Sequence, residues 1–352
     1  MKIETLLPLG KLDPGLRAPE QPLDLHAIGR DAQLVESLGY DGLLTEETKD
    51  DPFMVMALMA QATSRVNLGT AVAIAFARSP TSMAMSAWSM QKLSNGRFTL
   101  GLGPQVRAHI ARRFGMPTHA AGPWMREYIQ VLRAIWDHWQ NGTPLRISGE
   151  IYNIDLMMPL FNPGPIEFPR IPVHIAAVNR IMCRVAGELA DGIRPHPVCT
   201  PSYIRQVMLP EVQVGAARTG QQMNDFAVAM KPLVATAENE AELEMRIRDA
   251  RARLAFYAST PAYAATFNYH GLEQLTAEAK LLARAQRWED LPQLIDDTVL
   301  NTYVTVGTWD QIGQKLLARY DGVVSSLEVS IPVRSGSDRE QLINLVHTLH
   351  AA

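Results

Sequence analysis

Short apolar runs alternate with amphipathic segments along this chain, and this alternation restricts the fold more than any other feature. Strands that alternate with helices are typical of βαβ units around a parallel sheet. The third run, Val66–Ala75, is almost wholly apolar, as expected of a strand buried on both faces. The predicted strands are Ile3–Pro8, Asp41–Thr45, Val66–Ala75, Phe98–Leu102, Val173–Ala176, Gly192–Arg194, Phe226–Ala235 and Leu327–Val333. The predicted helices are Leu25–Leu38, Phe53–Ala62, Thr81–Leu93, Met182–Ala190, Pro201–Ala217, Ala241–Phe256 and Gln311–Tyr320.

Eight strands that alternate with helices favour a closed (β/α)8 TIM barrel over an open, doubly wound sheet. The 352 residues exceed a typical barrel of about 250, and no Pro/Gly/Ser-rich linker divides them. The surplus lies mainly at 141–170, with a hairpin of Leu145–Ile147 and Ile151–Ile154, and at 257–300. We therefore expect one domain over residues 1–352, with both insertions at the C-terminal face where barrel active sites lie.

Composition and charge exclude several classes of protein. A formal net charge of −3 offers no basic surface for nucleic acid. The apolar stretches are too short or too interrupted to span a membrane, and the N-terminal segment lacks the apolar run of a signal peptide. Cys183 and Cys199 are expected to be reduced structural thiols. We expect a cytoplasmic protein.

The common catalytic motifs are absent. Gly101-Leu102-Gly103 follows a strand, but Val106 replaces the third glycine of a dinucleotide-binding turn. No P-loop, no zinc-protease motif and no nucleophile elbow occurs. The histidine spacing favours no metal site, and none is predicted.

Polar residues gather where predicted strands end. Glu46 and Glu47 follow the second strand, although both could have a purely structural role in the loop that follows. His109 lies in the segment after the fourth strand, where it could have either a structural role or a role in the active site. Asn179 and Arg180 precede a helix, whose N-terminal N–H groups can bind an anion.

Several motifs together resemble the bacterial luciferase-like monooxygenase superfamily over essentially the whole chain. They are Leu38–Thr48, Arg65–Val72, Arg78–Pro80, Gly96–Gly103 and Ala186–Gly192. Other segments resemble an actinobacterial subgroup of F420-dependent oxidoreductases, namely Arg112–Met116, Asn162–Pro165 and Phe256–Tyr263. The superfamily contains both FMN-dependent monooxygenases and F420-dependent enzymes.

The resemblance implies a flavin-type ring at the C-terminal mouth of the barrel, with its phosphate near the fifth strand–helix junction. Glu47 falls where the family has an acidic residue beside the ring, and Ala71–Val72 where many F420 enzymes have a non-prolyl cis peptide. The cofactor-binding residues implied are Ala71, Val72, Ile74, Pro104, Gln105, Val178, Asn179, Ile181 and Met182. Glu47 and His109 are the expected catalytic residues, and Arg107 or Arg180 could neutralise anionic cofactor groups.

The chain departs from the family at three places, one of which is Val178-Asn179 in place of the small glycine pair often found at the phosphate turn. Many relatives have a histidine at the position of Thr48, and threonine cannot titrate near neutral pH. Acid/base catalysis is therefore either absent or moved, with Glu46, Glu47 and His109 as the alternatives. Gln105 stands where a glycine is frequent.

The preferred function is hydride transfer between coenzyme F420 and a small organic substrate that is apolar or carries a carbonyl group. The main alternative is an FMNH₂-dependent monooxygenase of the luciferase type, with FMN as the cofactor. A barrel that binds a ligand without catalysis is a further alternative, which Thr48 favours. By analogy with the superfamily, a homodimer is expected.

Overall fold

Eight parallel strands close into a barrel in the computed structural model, which describes residues 1–10, 23–331, 333 and 336–351. The ladder runs β1-β2-β3-β5-β8-β9-β10-β13 and returns to β1, and every pair in it is parallel. The strands are β1 Lys2–Leu6, β2 Gly42–Thr45, β3 Asn67–Thr70, β4 Ala73–Ile74, β5 Phe98–Gly103, β6 Ile147–Ser148, β7 Asn153–Ile154, β8 Val173–Ala177, β9 Gly192–Pro195, β10 Ala227–Met230, β11 Leu233–Ala237, β12 Val304–Thr308 and β13 Ser326–Glu328. The predicted (β/α)8 barrel is confirmed.

Helices surround the barrel, and those outside residues 240–303 bury their apolar faces against it. They are α1 Ile28–Ser37, α2 Pro52–Ala62, α3 Pro80–Leu93, α4 Arg107–Arg112, α5 Ala121–Asn141, α6 Arg180–Leu189, α7 Pro201–Tyr203, α8 Leu209–Thr219, α9 Glu240–Ser259, α10 Ala264–Asn268, α11 Glu273–Arg284, α12 Asp297–Tyr303, α13 Trp309–Tyr320 and α14 Gly336–His350. A π-helical turn, Ile204–Met208, joins α7 to α8. Asp51 caps α2 by accepting hydrogen bonds from the Phe53 and Met54 N–H groups, as its place before Pro52 predicts.

Two of the predicted strands, Val66–Ala75 and Phe226–Ala235, are each divided in the structure. Phe226–Ala235 is two strands, because β10 ends at Met230 and β11 begins at Leu233. Pro232 lies between them and has no N–H to donate to a ladder. β10 stays in the barrel, whereas β11 pairs with β12 in a separate parallel sheet.

The last predicted strand, Leu327–Val333, is shorter in the structure. β13 covers Ser326–Glu328, and residue 332 of the predicted range lies outside the described residues. The predicted hairpin is confirmed, with Ile147 paired to Ile154 across β6 and β7.

Residues 233–308 form what we call the helical module, which stands between the last two barrel strands. It contains β11, the helices α9 to α12, and β12, and it has an apolar cluster of its own. Phe267, Leu254 and Leu291 are fully buried in that cluster. The surplus predicted at 257–300 therefore belongs to a larger unit that begins before α9.

Cys183 and Cys199 are both buried and unpaired with each other, as predicted. Burial raises the pKa of the Cys183 thiol to about 12, with a further contribution from Glu211. Within the described ranges, every helix is too short or too polar to cross a lipid bilayer.

Candidate active site

A pocket of about 410 Å³ opens at the C-terminal mouth of the barrel. Its walls come from the ends of seven barrel strands or the loops after them, and Ala262 and Tyr263 of the helical module close one side. Most of the predicted site residues line it: Glu47, Ala71, Val72, Ile74, Pro104, Gln105, Val178, Asn179 and Met182. Such a volume is typical of small-molecule and cofactor sites.

One side of the pocket is an apolar wall, formed by Ala71, Val72, Pro104, Ala176 and Val178. The Ala71–Val72 peptide bond is cis, as the resemblance implied. This segment interrupts the predicted strand Val66–Ala75, so that β3 ends at Thr70 and β4 begins at Ala73.

Two glycines of β5 allow the interrupted strand to lie close against it. A Cβ atom at Gly101 would stand 1.9 Å from the Thr70 carbonyl oxygen, and one at Gly103 would stand 2.5 Å from Val72 Cγ2. Both distances are too short for any side chain. The glycines therefore shape the apolar wall by close packing of neighbouring backbone.

Glu47, which also lines the pocket, holds this wall in place. Arg78 Nη1 lies 2.7 Å from both of its carboxylate oxygens, and the Ile74 N–H donates to Oε2 at 2.7 Å. The Glu47 side chain is only 8% exposed. Its carboxylate is therefore held by a fixed ion pair and anchors β4, a role that motif matching alone did not reveal.

Gln105 adopts a left-handed backbone conformation, with a φ of 56°. This region suits glycine best, which explains why a glycine is frequent at the matching family position. The Gln105 side chain accepts a hydrogen bond from the Val106 N–H at 2.8 Å and so stabilises the turn.

The first turn of α6 forms the end of the pocket next to the apolar wall. Asn179 caps the helix by accepting a hydrogen bond from the Met182 N–H at 3.1 Å. Tyr203 donates to the Val178 carbonyl at 3.0 Å, which fixes the loop before the helix. The remaining N–H groups of the first turn lack partners within the helix, so this end of the pocket favours an anion.

The other predicted residues lie outside the pocket lining. His109 is exposed on α4, and Ile181 is 60% exposed beside Gly122. Arg107 contacts the Thr118 hydroxyl at 3.2 Å, whereas Arg180 Nη1 stands 3.4 Å from Glu211. Both arginines are on the rim.

β10 and β13 lie four strands from β3 and β5, respectively, around the barrel and therefore stand across the pocket from the apolar wall. This side carries a set of ionisable residues that, apart from Glu46, the sequence analysis missed. We call it the charged floor: Glu46, Arg194, Lys231 and Glu328. Arg194 pairs with Glu4 of β1 at 3.2 Å, and Lys231 Nζ lies 3.4 Å from Glu328 Oε1. Arg194 and Glu328 interrupt otherwise apolar strands, and that interruption was the available signal.

Burial changes the proton affinity of this floor. The Glu328 side chain is 5% exposed, and burial raises the pKa of its carboxyl. Lys231 and Arg194 oppose that change, whereas Glu4 and Glu46 add to it. Deeper in the barrel, burial together with Arg194 and Lys2 lowers the pKa of His174 to about 3, against the opposing effect of Asp191.

Aromatic side chains cover the pocket. The ring of His196 stacks on Tyr263 of the helical module at 3.8 Å and meets Tyr257 edge-on at 4.7 Å. Burial raises the pKa of Tyr263, so its hydroxyl stays neutral. The barrel thus supplies the wall and the floor, and the helical module supplies the roof.

A family model described as luciferase-like monooxygenase matches residues 5–326. An uncharacterised protein of Mycobacterium tuberculosis is 40% identical over 309 residues, which cover 88% of this chain and 90% of that protein. A second M. tuberculosis protein, named "Putative coenzyme F420-dependent oxidoreductase", is 27% identical over 94% of this chain and 95% of its own length.

Solved structures of low sequence identity share the fold. The coenzyme F420-dependent tetrahydromethanopterin reductase of Methanopyrus kandleri superposes with a TM-score of 0.74 at 21% identity, covering 98% of this chain and 96% of that one. The EDTA monooxygenase of Chelativorans also gives 0.74, at 15% identity, covering 100% of this chain and 93% of that one. The same fold therefore accompanies both chemistries.

Proposed function

Because the chain belongs to the luciferase-like monooxygenase family, we propose that it is a coenzyme F420-dependent oxidoreductase. The reaction is hydride transfer between the deazaflavin and a small organic substrate that is apolar or carries a carbonyl group. The similarity to the M. tuberculosis protein whose printed name includes F420 supports this choice of cofactor. The cofactor supplies the hydride chemistry when it is bound, and the protein supplies orientation and proton management.

The observation that carries the proposal is the arrangement of the pocket. A planar ring needs an apolar surface, and its phosphate needs hydrogen-bond donors at a fixed distance from the ring. The apolar wall ends at the first turn of α6, so one pocket offers both. The charged floor faces the wall, so a substrate bound between them contacts polar groups on the side away from the ring.

Within this proposal, Glu47 orients the ring by holding the apolar wall in place through Arg78 and Ile74. Val178, Asn179, Ile181 and Met182 surround the phosphate, with Ile181 closing the site from outside. His109 and Arg107 contact the part of the cofactor that leaves the pocket. Arg180, in the first turn of α6, also neutralises anionic groups of the cofactor.

Titration of the apoprotein with F420 and with FMN tests the choice of cofactor, with binding followed by fluorescence. We expect F420 to bind and FMN to bind far more weakly. Tight FMN binding without F420 binding would instead indicate a flavin monooxygenase. Affinity for neither would indicate a barrel without flavin chemistry.

A pair of substitutions tests the location of the ring. Ala176→Phe places a phenyl ring on the apolar wall and should weaken F420 binding by at least tenfold, because the wall can no longer accept a second planar group. Ala217→Phe adds the same ring on the exposed face of α8, outside the pocket, and should leave F420 affinity as in the wild type. Equal affinities of the two variants would refute this location.

We also propose that the protein is a cytoplasmic homodimer and that residues 1–352 fold as one domain. Family analogy supports the dimer, and light scattering of the purified protein tests it. Separate unfolding transitions of the barrel and the helical module would contradict a single domain.

A further inference from the structure

The pocket contains ionisable groups whose functions the proposed hydride transfer does not explain. Reduction of a carbonyl needs a hydride at carbon and a proton at oxygen, and Thr48, which lines the pocket, cannot supply that proton. The Glu47 carboxylate is occupied by Arg78 and the Ile74 N–H, and His109 lies outside the pocket lining. Of the other pocket-lining groups that can carry a proton, His196 and Tyr263 stack on each other in the roof, and the rest belong to the charged floor.

Glu328 is the group best placed to replace them. It lines the pocket at the end of β13, its side chain is 5% exposed, and Oε1 has no hydrogen-bond partner among the described residues. The Lys231 ammonium lies 3.4 Å from that oxygen, at ion-pair distance. A buried carboxyl oxygen without a hydrogen bond, facing a pocket, is costly unless a ligand completes it.

We propose that Glu328 is the proton donor to a carbonyl substrate, with Lys231 as its charge partner. This inference rests on the proposed function and names its substrate class as ketones and aldehydes, or the matching alcohols in the reverse direction. The substrate oxygen takes the place of the missing hydrogen-bond partner of Oε1. Its carbon then faces the apolar wall, where the ring is proposed to lie.

The surroundings of Glu328 suit proton donation. Burial raises its pKa, and Glu4 and Glu46 act in the same direction, so the protonated form persists at higher pH than in an ordinary carboxyl. Lys231 and Arg194 act in the opposite direction and stabilise the carboxylate once the proton has left. A carboxyl held between these influences can both give up and regain a proton.

The step balances in atoms and electrons. The carbonyl carbon gains a hydride, with its two electrons, from the reduced cofactor of the proposed function. The Glu328 O–H bond breaks as the alcohol O–H bond forms, and the C=O π electrons become the new bonding pair on oxygen. The remaining carboxylate faces Lys231 and regains a proton from solvent after the alcohol leaves. The reverse reaction uses the same carboxylate as the base.

Glu328→Gln tests the proposal, because glutamine keeps the shape and the ability to donate a hydrogen bond but cannot transfer a proton. With reduced F420 and cyclohexanone or benzaldehyde as probes, we expect kcat to fall by about 100-fold or more, with little change in KM. The wild-type kcat should decline as pH rises through the Glu328 pKa, and the residual kcat of Glu328→Gln should lose that decline. Glu188→Gln is the matched control, since Glu188 is also a buried, ion-paired glutamate but lies outside the pocket.

A second measurement needs no substrate. Infrared spectroscopy of the wild type during a pH titration should show a protonated-carboxyl band that persists to higher pH than the bands of the other carboxyl groups, because burial raises the pKa of Glu328. The band should be missing in Glu328→Gln and present in Glu188→Gln. Circular dichroism and F420 titration establish that each variant folds and binds. Absence of the band, or failure of the wild type to reduce either probe, overturns the assignment.

The two proposals fail in distinguishable ways. If the wild type binds FMN and not F420, the proposed function is wrong. If it binds F420 but Glu328→Gln keeps the wild-type kcat and pH profile, the proposed function stands and Glu328 is not the donor.

Discussion

His174 makes the stability of the barrel depend on pH in a way that can be calculated. Its side chain points into the barrel from β8, its Nδ1 atom has no hydrogen-bond partner in the described part of the chain, and its pKa is lowered to about 3. Burial is the largest cause, because the charged imidazolium would lose its water, and Arg194 adds repulsion. The unfolded chain regains a pKa of about 6.5.

Between these two pKa values the unfolded chain binds a proton at His174 and the folded chain does not. Protonation therefore favours unfolding, and the free energy of unfolding falls as the pH falls below about 6.5. At about 1.4 kcal/mol per pH unit, the loss from this one residue between pH 7 and pH 5 is about 2 kcal/mol. The contribution is fully present above pH 6.5 and continues to decline towards pH 3.

Urea unfolding of the wild type and His174→Gln at pH 7 and pH 5 measures this contribution. Other groups also titrate, so the informative quantity is the difference between the two proteins in their pH-dependent loss. We expect the wild type to lose about 2 kcal/mol more than His174→Gln over this interval. His347→Gln, which removes an exposed histidine of α14, controls for the loss of an imidazole as such. Equal losses in the wild type and His174→Gln would refute the reasoning.

Two further predictions concern the apolar wall. Glu47→Gln should lower the free energy of unfolding by about 2 kcal/mol, because the partly buried Arg78 guanidinium loses a charged partner. It should also weaken F420 binding, because the apolar wall is held less firmly. Urea unfolding measures the first effect and F420 titration the second, and an unchanged F420 affinity would contradict the orienting role. Gly101→Ala should cost about 3 kcal/mol, because its Cβ would meet the Thr70 carbonyl oxygen. Gly336→Ala, whose Cβ would have no neighbour within 4 Å among the described residues, should cost less than about 0.5 kcal/mol. Equal melting temperatures of the two glycine variants would show that the backbone there can move apart.

The barrel could be predicted because each of its strands is recognisable from a short stretch of sequence. Each barrel strand carries a short apolar run, and the helices between them show the amphipathic period, so neither depends on distant contacts. The error at Phe226–Ala235 has a local cause as well, because Pro232 already marks the break. The separate pairing of β11 with β12 depends on contacts between residues about 70 positions apart, and no local pattern specifies it.

Some residues of the candidate site could likewise be predicted from the sequence, and others could not. The apolar wall follows family motifs, so its residues could be named from the sequence. The charged floor could not, because Arg194 and Glu328 lie on two strands and Lys231 directly follows a third, so the three side chains meet only when the barrel closes. Glu47 illustrates a third case: the motif identified its position, but its ion pair with Arg78 depends on the fold around β4.

The helical module gives the protein a way to diversify. Its own apolar cluster holds it together, so substitutions inside it should affect stability nearly independently of substitutions in the barrel. Tyr263 nevertheless reaches the pocket and stacks on His196. Mutations that reshape the module can therefore change which molecules enter while the reacting groups stay fixed. Descendants of this chain could acquire new substrates by remodelling one peripheral unit, and directed evolution of specificity should begin there.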